Sequence, residues 1–441
     1  MALRNWANVP FHPGKWPFFY GWMILVWGTI GVIMSVPGQT IGVSAFTDSL
    51  IEVLGISRDD LSLSYMFGTI ASSFMLPWAG RQYDKHGVRL VALVASVALG
   101  LVLFLLSHID VVIFDLLNIQ SNIIIISVMF VCFLLLRFFG QGVITMTSRN
   151  MMVQWFDKRR GFATGFSNIF ISMAFSGSPV LLFYLVDQYS WSGAWQVMGL
   201  VLLFAFPIII LIFFRNKPED SGLVPDGAYV PSVQKQKLLF PIVHEFTLEE
   251  ARRNSSFWIY TFMLAMQGLY ITAFTFHVVS IFETAGLSEE QAIAVFPQTA
   301  VVAVLVTLIF SSVSDFVQLK YLYILMGIGA CLGILGLVFL SDFVMSYYLM
   351  VIGHGVMGGL FSVLSSVTWP RYFGRLHLGA ISGQSIMVIV FGSALGPIIL
   401  SQSLTHFGNY AVGGWICFFI YLVLTIASVR TNNPQKLMAK P

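Results

Sequence analysis

The chain has 441 residues, of which 57% are hydrophobic, 15% aromatic and only 10% charged, with a net charge of +3. A water-soluble globular protein carries roughly 25% charged residues, and a disordered chain is far less apolar, so both classes are excluded. At about 20 apolar residues per bilayer-spanning helix, the length holds about twelve spans with short connections, and lipid is the expected solvent for most of the surface.

Apolar runs between charged or turn-rich breaks predict spans over 19–46, 61–83, 89–107, 121–147, 161–186, 193–214, 257–283, 291–314, 320–340, 346–369, 379–402 and 411–430. The first follows Arg4 and Lys15 and outruns the apolar region of a signal peptide, so it is predicted to be a spanning helix rather than a cleaved leader. The longest polar break, 215–256, holds Pro218, Pro225, Pro231 and Pro241 with Lys235, Lys237, Arg252 and Arg253. The predicted organisation is an all-α membrane protein: a six-helix bundle over 1–215, a cytoplasmic linker loop over 216–256 and a second six-helix bundle over 257–441.

Orientation follows from the basic residues. With the N-terminus in the cytoplasm, every lysine and arginine except Arg58 in the first outer loop and Arg137 inside the fourth span falls in a cytoplasmic segment. That is the positive-inside arrangement, and it predicts that both termini are cytoplasmic. The acids lie at the edges. Asp48, Glu52, Asp59, Asp60, Asp110, Asp115, Asp187, Glu283, Glu289, Glu290 and Asp342 are outer. Asp84, Asp157, Glu219, Asp220, Asp226, Glu245, Glu249, Glu250 and Asp315 are cytoplasmic. Arg137 is thus the one ionised side chain expected at mid-membrane.

Other chemistry is sparse. Cys132, Cys331 and Cys417 lie inside apolar runs at spacings that fit no metal or redox motif, and are expected to be buried free thiols. Nothing resembles the clustered basic face of a nucleic-acid binder. No metal, nucleotide or nucleophile signature is present, so the reading is not an enzyme and calls for no cofactor.

The break after the second span reads Gly80-Arg81-Gln82-Tyr83-Asp84-Lys85-His86-Gly87-Val88-Arg89, the pattern G-x-x-x-D-[RK]-x-G-x-[RK]. Gly80 permits close helix approach, Asp84 can pair with a cation or face a helix N-terminus, and Gly87 permits a tight turn. Lys85 and Arg89 complete a gate-like contact. The halves also repeat weakly. Trp155-Phe156-Asp157-Lys158-Arg159-Arg160-Gly161 with Gly165 echoes Tyr372-Phe373-Gly374-Arg375 with Gly379 and Gly383. Such duplication around a central loop is a transporter signature.

On these residues the whole chain resembles the major facilitator superfamily. The resemblance implies a 6+6 pseudo-symmetric fold and transport by alternating access. Ser311-Ser312-Val313-Ser314-Asp315 is the degenerate second-half counterpart of the gate motif, so Asp315 joins Gly80, Asp84, Lys85, Gly87 and Arg89 as a gating candidate. Leu136-Arg137-Phe138-Phe139-Gly140-Gln141-Gly142 resembles the superfamily's fourth-helix motif. Ser176-Gly177-Ser178-Pro179 resembles a weakened form of its fifth-helix glycine–proline motif, whose antiporter version has more glycines.

Two further segments, Pro218 to Gly227 and Phe246-Thr247-Leu248-Glu249-Glu250-Ala251 with Phe257-Trp258, resemble the bacterial monocarboxylate-transporter-like and oxalate/formate-antiporter-like branch. Members of that branch that bind carboxylates often carry basic residues in the eighth or eleventh helix; 291–314 and 379–402 hold none.

Arginine at mid-membrane costs at least about 2.5–3.5 kcal/mol unless paired or wet. Two readings of Arg137 stay open: a binding site or coupling residue for an anion, whose planar carboxylate suits a guanidinium, or a structural arginine bonded to carbonyls. Gln39, which follows Pro37-Gly38 where the first span is open to a break, Tyr65, Tyr270, His277, Gln298 and His354 are the neutral binding candidates. Most of them are expected to cluster above Arg137, with His277 or His354 as a proton carrier.

The expected function is transport of a small organic anion, a monocarboxylate above all, by proton symport or anion exchange. The alternative is transport or export of a neutral or zwitterionic solute such as an amino acid, metabolite or drug. A receptor built on a transporter fold is a third class. The expected partners are a small-molecule substrate, membrane lipid and protons, the expected state is a monomer, and the expected location is a bacterial cytoplasmic membrane.

Overall fold

The computed structural model describes residues 8–227, 242–341 and 344–438. Arg4, Pro231, Lys235, Lys237, Pro241, Asp342 and Lys440 lie outside the described residues, as do the side chains of Arg58, Asp59, Ser176 and Glu289. Every regular element among the described residues is helical. Nine helices there are long and apolar enough to cross a membrane, and a shorter apolar helix precedes them.

The short helix is α1 (Gly21–Ile33). It is followed by α2 (Arg58–Ser107), α3 (Asn122–Trp155), α4 (Arg160–Phe213), α5 (Ser255–Thr284), α6 (Glu289–Val313), α7 (Leu319–Val338), α8 (Val344–Tyr372), α9 (Leu378–Phe407) and α10 (Ala411–Val429). In lipid each backbone polar group must be bonded inside the segment, which is why apolar runs of this length become helices.

Their ends follow capping chemistry. Ser57 with Asp60 and Ser288 with Gln291 form capping boxes at the starts of α2 and α6. Gly408, in the left-handed region, closes α9.

The first predicted span is not one helix. After Ile33 the chain makes a 3-10 turn over Val36–Gly38, Gln39 is extended, and short helices run over Thr40–Ser44 and Thr47–Leu54. Pro37 lacks the N–H that a continuous helix would need. The breaks expected at 84–88 and 187–192 are bends instead. Gly87 (φ 80°, ψ 169°) interrupts α2, and Ser190 (φ 63°, ψ 171°) interrupts α4. The fourth span does not end at 147 but runs on to Trp155, so Arg149, assigned from sequence to a cytoplasmic loop, is inside a helix.

The chain forms two compact units. The first comprises Met1–Asp157, Ser167–Val230 and Ser382–Gln384; the second comprises Lys158–Phe166, Pro231–Ile381 and Ser385–Pro441. Within the first, small residues set the helix spacing. A methyl group on Gly28 or Gly31 of α1 would run into Met152 or Ser148 of α3, and one on Gly100 of α2 would lie 3.0 Å from the Gly199 carbonyl of α4.

Within the second unit, α7 and α8 meet at Gly333 and Gly353, whose backbones touch, and α9 meets α5 where a methyl on Gly392 would lie 3.0 Å from the Ala265 carbonyl. Large apolar side chains such as Leu101, Val180, Phe183, Phe276 and Val423 are exposed, as a lipid-facing surface requires.

Candidate functional site

In the first unit the break after α1 and a widened turn in α3 build a polar site around Arg137. α3 adopts π geometry over Arg137–Ile144, a form that recurs at functional positions. The broken backbone at Gly38 leaves its carbonyl free, and Arg137 Nη1 donates to it at 3.1 Å and to Thr40 Oγ1 at 3.3 Å. Tyr65 of α2 donates its hydroxyl to the same Thr40 oxygen at 2.9 Å, and its ring centroid lies 5.2 Å from the guanidinium carbon. Gly38 and Gly140 pass so closely that a methyl on either would lie 2.7 Å from the other's Cα.

Gln39 sits beside this group in a second set of bonds. Its Nε2 donates to Ser35 Oγ at 2.9 Å and to Thr145 Oγ1 at 3.2 Å, and Thr145 donates to Ser35 at 3.0 Å. Arg137 itself is 3% exposed. Its Nε is buried and donates to no partner, and no carboxylate pairs with it among the described residues. Thr40 is exposed and Tyr65 half-buried, so the group opens on the Thr40 side. Three of the sequence candidates, Arg137, Gln39 and Tyr65, therefore come together.

In the second unit Tyr270 and His354 form a buried pair. His354 Nε2 lies 3.0 Å from the Tyr270 hydroxyl, and the imidazole packs edge-on against Phe274. His354 Nδ1 is buried with no partner among the described residues. The ring is seated beside the α7–α8 crossing, where a methyl on Gly333 would lie 3.1 Å from the His354 backbone nitrogen. His277 and Gln298 have partners of their own. His277 Nε2 donates to the Pro397 carbonyl at 3.0 Å, and Gln298 bonds to Tyr347. Of these four candidates, direct contact joins Tyr270 to His354.

The gate motif also acquires specific contacts. Gly87 adopts the left-handed region, and any side chain there would strike Asn216, whose Oδ1 accepts the Val88 N–H at 2.8 Å. Arg89 Nε donates to the Phe214 carbonyl at 2.7 Å, and its Nη2 donates to the Val9 carbonyl. Arg215 bonds the Phe11 carbonyl and lies over the Phe11 and Tyr20 rings. The motif thus fastens the N-terminal segment to the end of α4. Gly80 is buried in α2, and Asp84 and Lys85 lie in the turn before Gly87.

The second-half counterpart holds a buried ion pair. Asp315 Oδ1 accepts from Arg371 Nη2 at 2.8 Å and from the Gly161 N–H at 3.1 Å, and Arg371 Nη1 donates to the Ser314 carbonyl. Burial pushes the Asp315 carboxyl up, against Arg371 and the Gly161 N–H, which pull it down.

Sequence reasoning missed Arg371, which it counted as loop charge; its place directly after Trp369-Pro370, still within the hydrophobic pattern of the tenth span, was the available signal. It also missed Arg149, Thr40 and Thr145. Among the described residues no group of three or more His, Cys, Asp or Glu is arranged to hold a metal ion.

The Major Facilitator Superfamily profile matches residues 23–397. Among solved structures, the proton:xylose symporter XylE bound to 6-bromo-6-deoxy-D-glucose is similar at a TM-score of 0.64 and 14% identity, over 96% of this chain and 99% of that one. A bacterial homologue of the iron transporter ferroportin, in an outward-facing state with soaked iron, is similar at 0.66 and 13%, over 94% and 99%. The human organic anion transporter TETRAN is similar at 0.56 and 12%, over 92% and 98%. At these identities the likeness is one of fold. No curated protein sequence gives a significant match.

Proposed function

Because the chain belongs to the Major Facilitator Superfamily, we propose that this membrane transporter moves a small organic anion, a monocarboxylate above all, by alternating access. Twelve passages are proposed. At about 1.5 Å per residue, the apolar helices of 48 and 54 residues would each exceed about 70 Å, against about 30 Å of hydrocarbon. The bends at Gly87 and Ser190 support reading each as two passages, and α1 completes the count. Cytoplasmic termini, a bacterial cytoplasmic membrane and a monomeric state belong to the same proposal.

The observation that carries the substrate class is Arg137: a buried guanidinium that, among the described residues, has neutral partners only, a spare Nε donor and no carboxylate beside it. A charge in that setting is stabilised by a mobile counter-ion, and a carboxylate fits its planar fork. Tyr65, Thr40 and Gln39 would complete the cradle; Tyr270 and His354 are proposed as binding residues of the second unit. Coupling is by proton symport or anion exchange, with His277 as the proton-handling candidate. Gating is assigned to the turn carrying Gly80, Asp84, Lys85, Gly87 and Arg89, and to Asp315 with Arg371.

The second reading is a neutral or zwitterionic solute. It is favoured by the same contacts, since Gly38, Thr40 and Tyr65 already hold Arg137 without any anion. Uptake of labelled monocarboxylates and of neutral solutes into proteoliposomes separates the two. Wild type is expected to take up a carboxylate, and Arg137→Gln to lose roughly tenfold or more of kcat/KM, the worth of a charge-assisted bond. Carboxylate uptake equal in wild type and Arg137→Gln, or uptake of a neutral solute alone, would move the assignment to the second reading.

A further inference from the structure

α3 carries a second arginine in its more polar final segment. Arg149 lies in Thr145–Trp155 and is half-buried. Its Nη1 donates to Asn168 Oδ1 at 3.1 Å, and no carboxylate pairs with it among the described residues. Asn168, on α4 and in the same compact unit, is 5% exposed.

The register of α3 relates the two arginines. A π-turn takes up an extra residue, so the twelve residues from 137 to 149 wind like about eleven, close to three full turns. The widened turn over Arg137–Ile144 therefore brings Arg149 back to the face that carries Arg137, about 17 Å further along the axis. Thr145, which bonds Gln39 and Ser35, lies on that stripe between them. Without the π-turn the two side chains would be a third of a turn apart.

The identity of residue 168 matters. An aspartate there would both orient and neutralise Arg149. An asparagine accepts one N–H, fixes the guanidinium and leaves its charge uncompensated. Both arginines of α3 are thus held by neutral oxygens, on one face of one helix.

We propose that Arg149, oriented by Asn168, is a second binding station for the transported anion, a small carboxylate, nearer the Trp155 end of α3 than Arg137. The inference rests on the anion reading of Arg137 and extends it from one site to a two-station path. A carboxylate leaving Arg137 meets a second guanidinium on the same helix face before it reaches the Trp155 end.

The test uses the full chain in proteoliposomes, with acetate, lactate and oxalate as probes, and compares wild type with Asn168→Asp, Arg149→Gln, Arg149→Lys and Arg137→Gln. Asn168→Asp decides, because the roles predict opposite results. If Arg149 is structural, an aspartate strengthens the bond that holds it and transport is unchanged. If Arg149 is an anion station, the new carboxylate occupies it.

The half-saturating carboxylate concentration is expected to rise roughly tenfold in Asn168→Asp, with the thermal midpoint of the unliganded protein at or above the wild-type value. Arg149→Gln should show the same rise and Arg149→Lys a smaller one. Wild-type half-saturation in Asn168→Asp, with Arg137→Gln impaired, overturns the second station and leaves the Arg137 reading standing. A wild-type protein that neither binds nor transports any of the probes overturns both. Should Arg149→Gln fail to fold, the nearly isosteric Asn168→Asp still separates the two roles.

Discussion

Gly38→Ala tests whether the Arg137 site depends on backbone contact between the broken first helix and α3. A methyl group at residue 38 would lie 2.6 Å from the Leu136 carbonyl oxygen, 2.7 Å from Gly140 Cα and 3.1 Å from the Gln141 nitrogen. All three atoms are backbone, so none can rotate away, and the two segments must separate. Gly38 has no positive φ, so alanine brings no backbone strain of its own. The cost is one of overpacking, about 1–3 kcal/mol, or roughly five- to 150-fold in the folding equilibrium.

Separation has a functional consequence as well. The Gly38 carbonyl accepts from Arg137 at 3.1 Å, so a shift of a few tenths of an ångström lengthens that bond towards the limit of a hydrogen bond. The expected result is a lower thermal midpoint by tryptophan fluorescence in detergent, together with reduced uptake in proteoliposomes. Gly177→Ala is the control. Among the described residues nothing lies within 4 Å of a methyl there, and alanine is the better helix former, so that variant should match or exceed wild type. A Gly38→Ala protein with wild-type midpoint and uptake would refute the reasoning.

Three further outcomes are expected. Asp315→Asn removes the carboxylate from a pair in which both side chains are 7% exposed, and should cost about 3–5 kcal/mol; Asp315→Asn/Arg371→Met should lose less than the single variant, and an unchanged midpoint in the single variant counts against the pair. Tyr270→Phe strips His354 of its hydroxyl partner and leaves both ring nitrogens unbonded, for about 1–3 kcal/mol, and pairing it with His354→Leu should recover part of the loss in a double-mutant cycle. Glu250 accepts from the Thr247 N–H and hydroxyl, which hold its carboxyl below the usual range. Its cap therefore stabilises Leu248–Arg252 above the usual glutamate value of about 4.3 and is lost as pH falls through the lower folded value. Amide exchange in that helix should accelerate on acidification relative to Glu250→Gln, and parallel pH profiles would rule the cap out.

What was legible in the sequence follows from what lipid enforces. Apolar runs had to become helices, and Pro37-Gly38 and Gly87 were recognisable as interruptions because of proline's missing donor and glycine's left-handed backbone. The end of the fourth span was misplaced for a physical reason. Thr145, Thr147, Ser148, Arg149, Asn150 and Gln154 lower the local hydropathy, yet they lie in a helix whose polar groups face other helices rather than lipid. Hydropathy measures the residues, whereas the bundle interior decides which of them can be buried. Arg89 illustrates a second limit. Two of its partners, the carbonyls of Phe214 and Val9, are far away in the chain, and no side-chain pattern marks a carbonyl as an acceptor.

The placement of charge gives the transport reading its sharpest form. Beside α8 a carboxylate compensates an arginine, Asp315 for Arg371. Inside α3 the acceptors are Gly38 O, Thr40 Oγ1 and Asn168 Oδ1. Neutral acceptors offset part of the desolvation of a guanidinium without cancelling its charge, so the potential around α3 stays positive, attracting anions and repelling cations. Thr40→Asp inverts that logic at the first station. It sets a carboxylate where Arg137 Nη1 now finds a hydroxyl at 3.3 Å, forming an internal ion pair. Carboxylate uptake is then expected to fall roughly tenfold or more while the protein inserts and folds normally. If Thr40→Asp transports carboxylates as wild type does, the charge of Arg137 is not what selects the substrate.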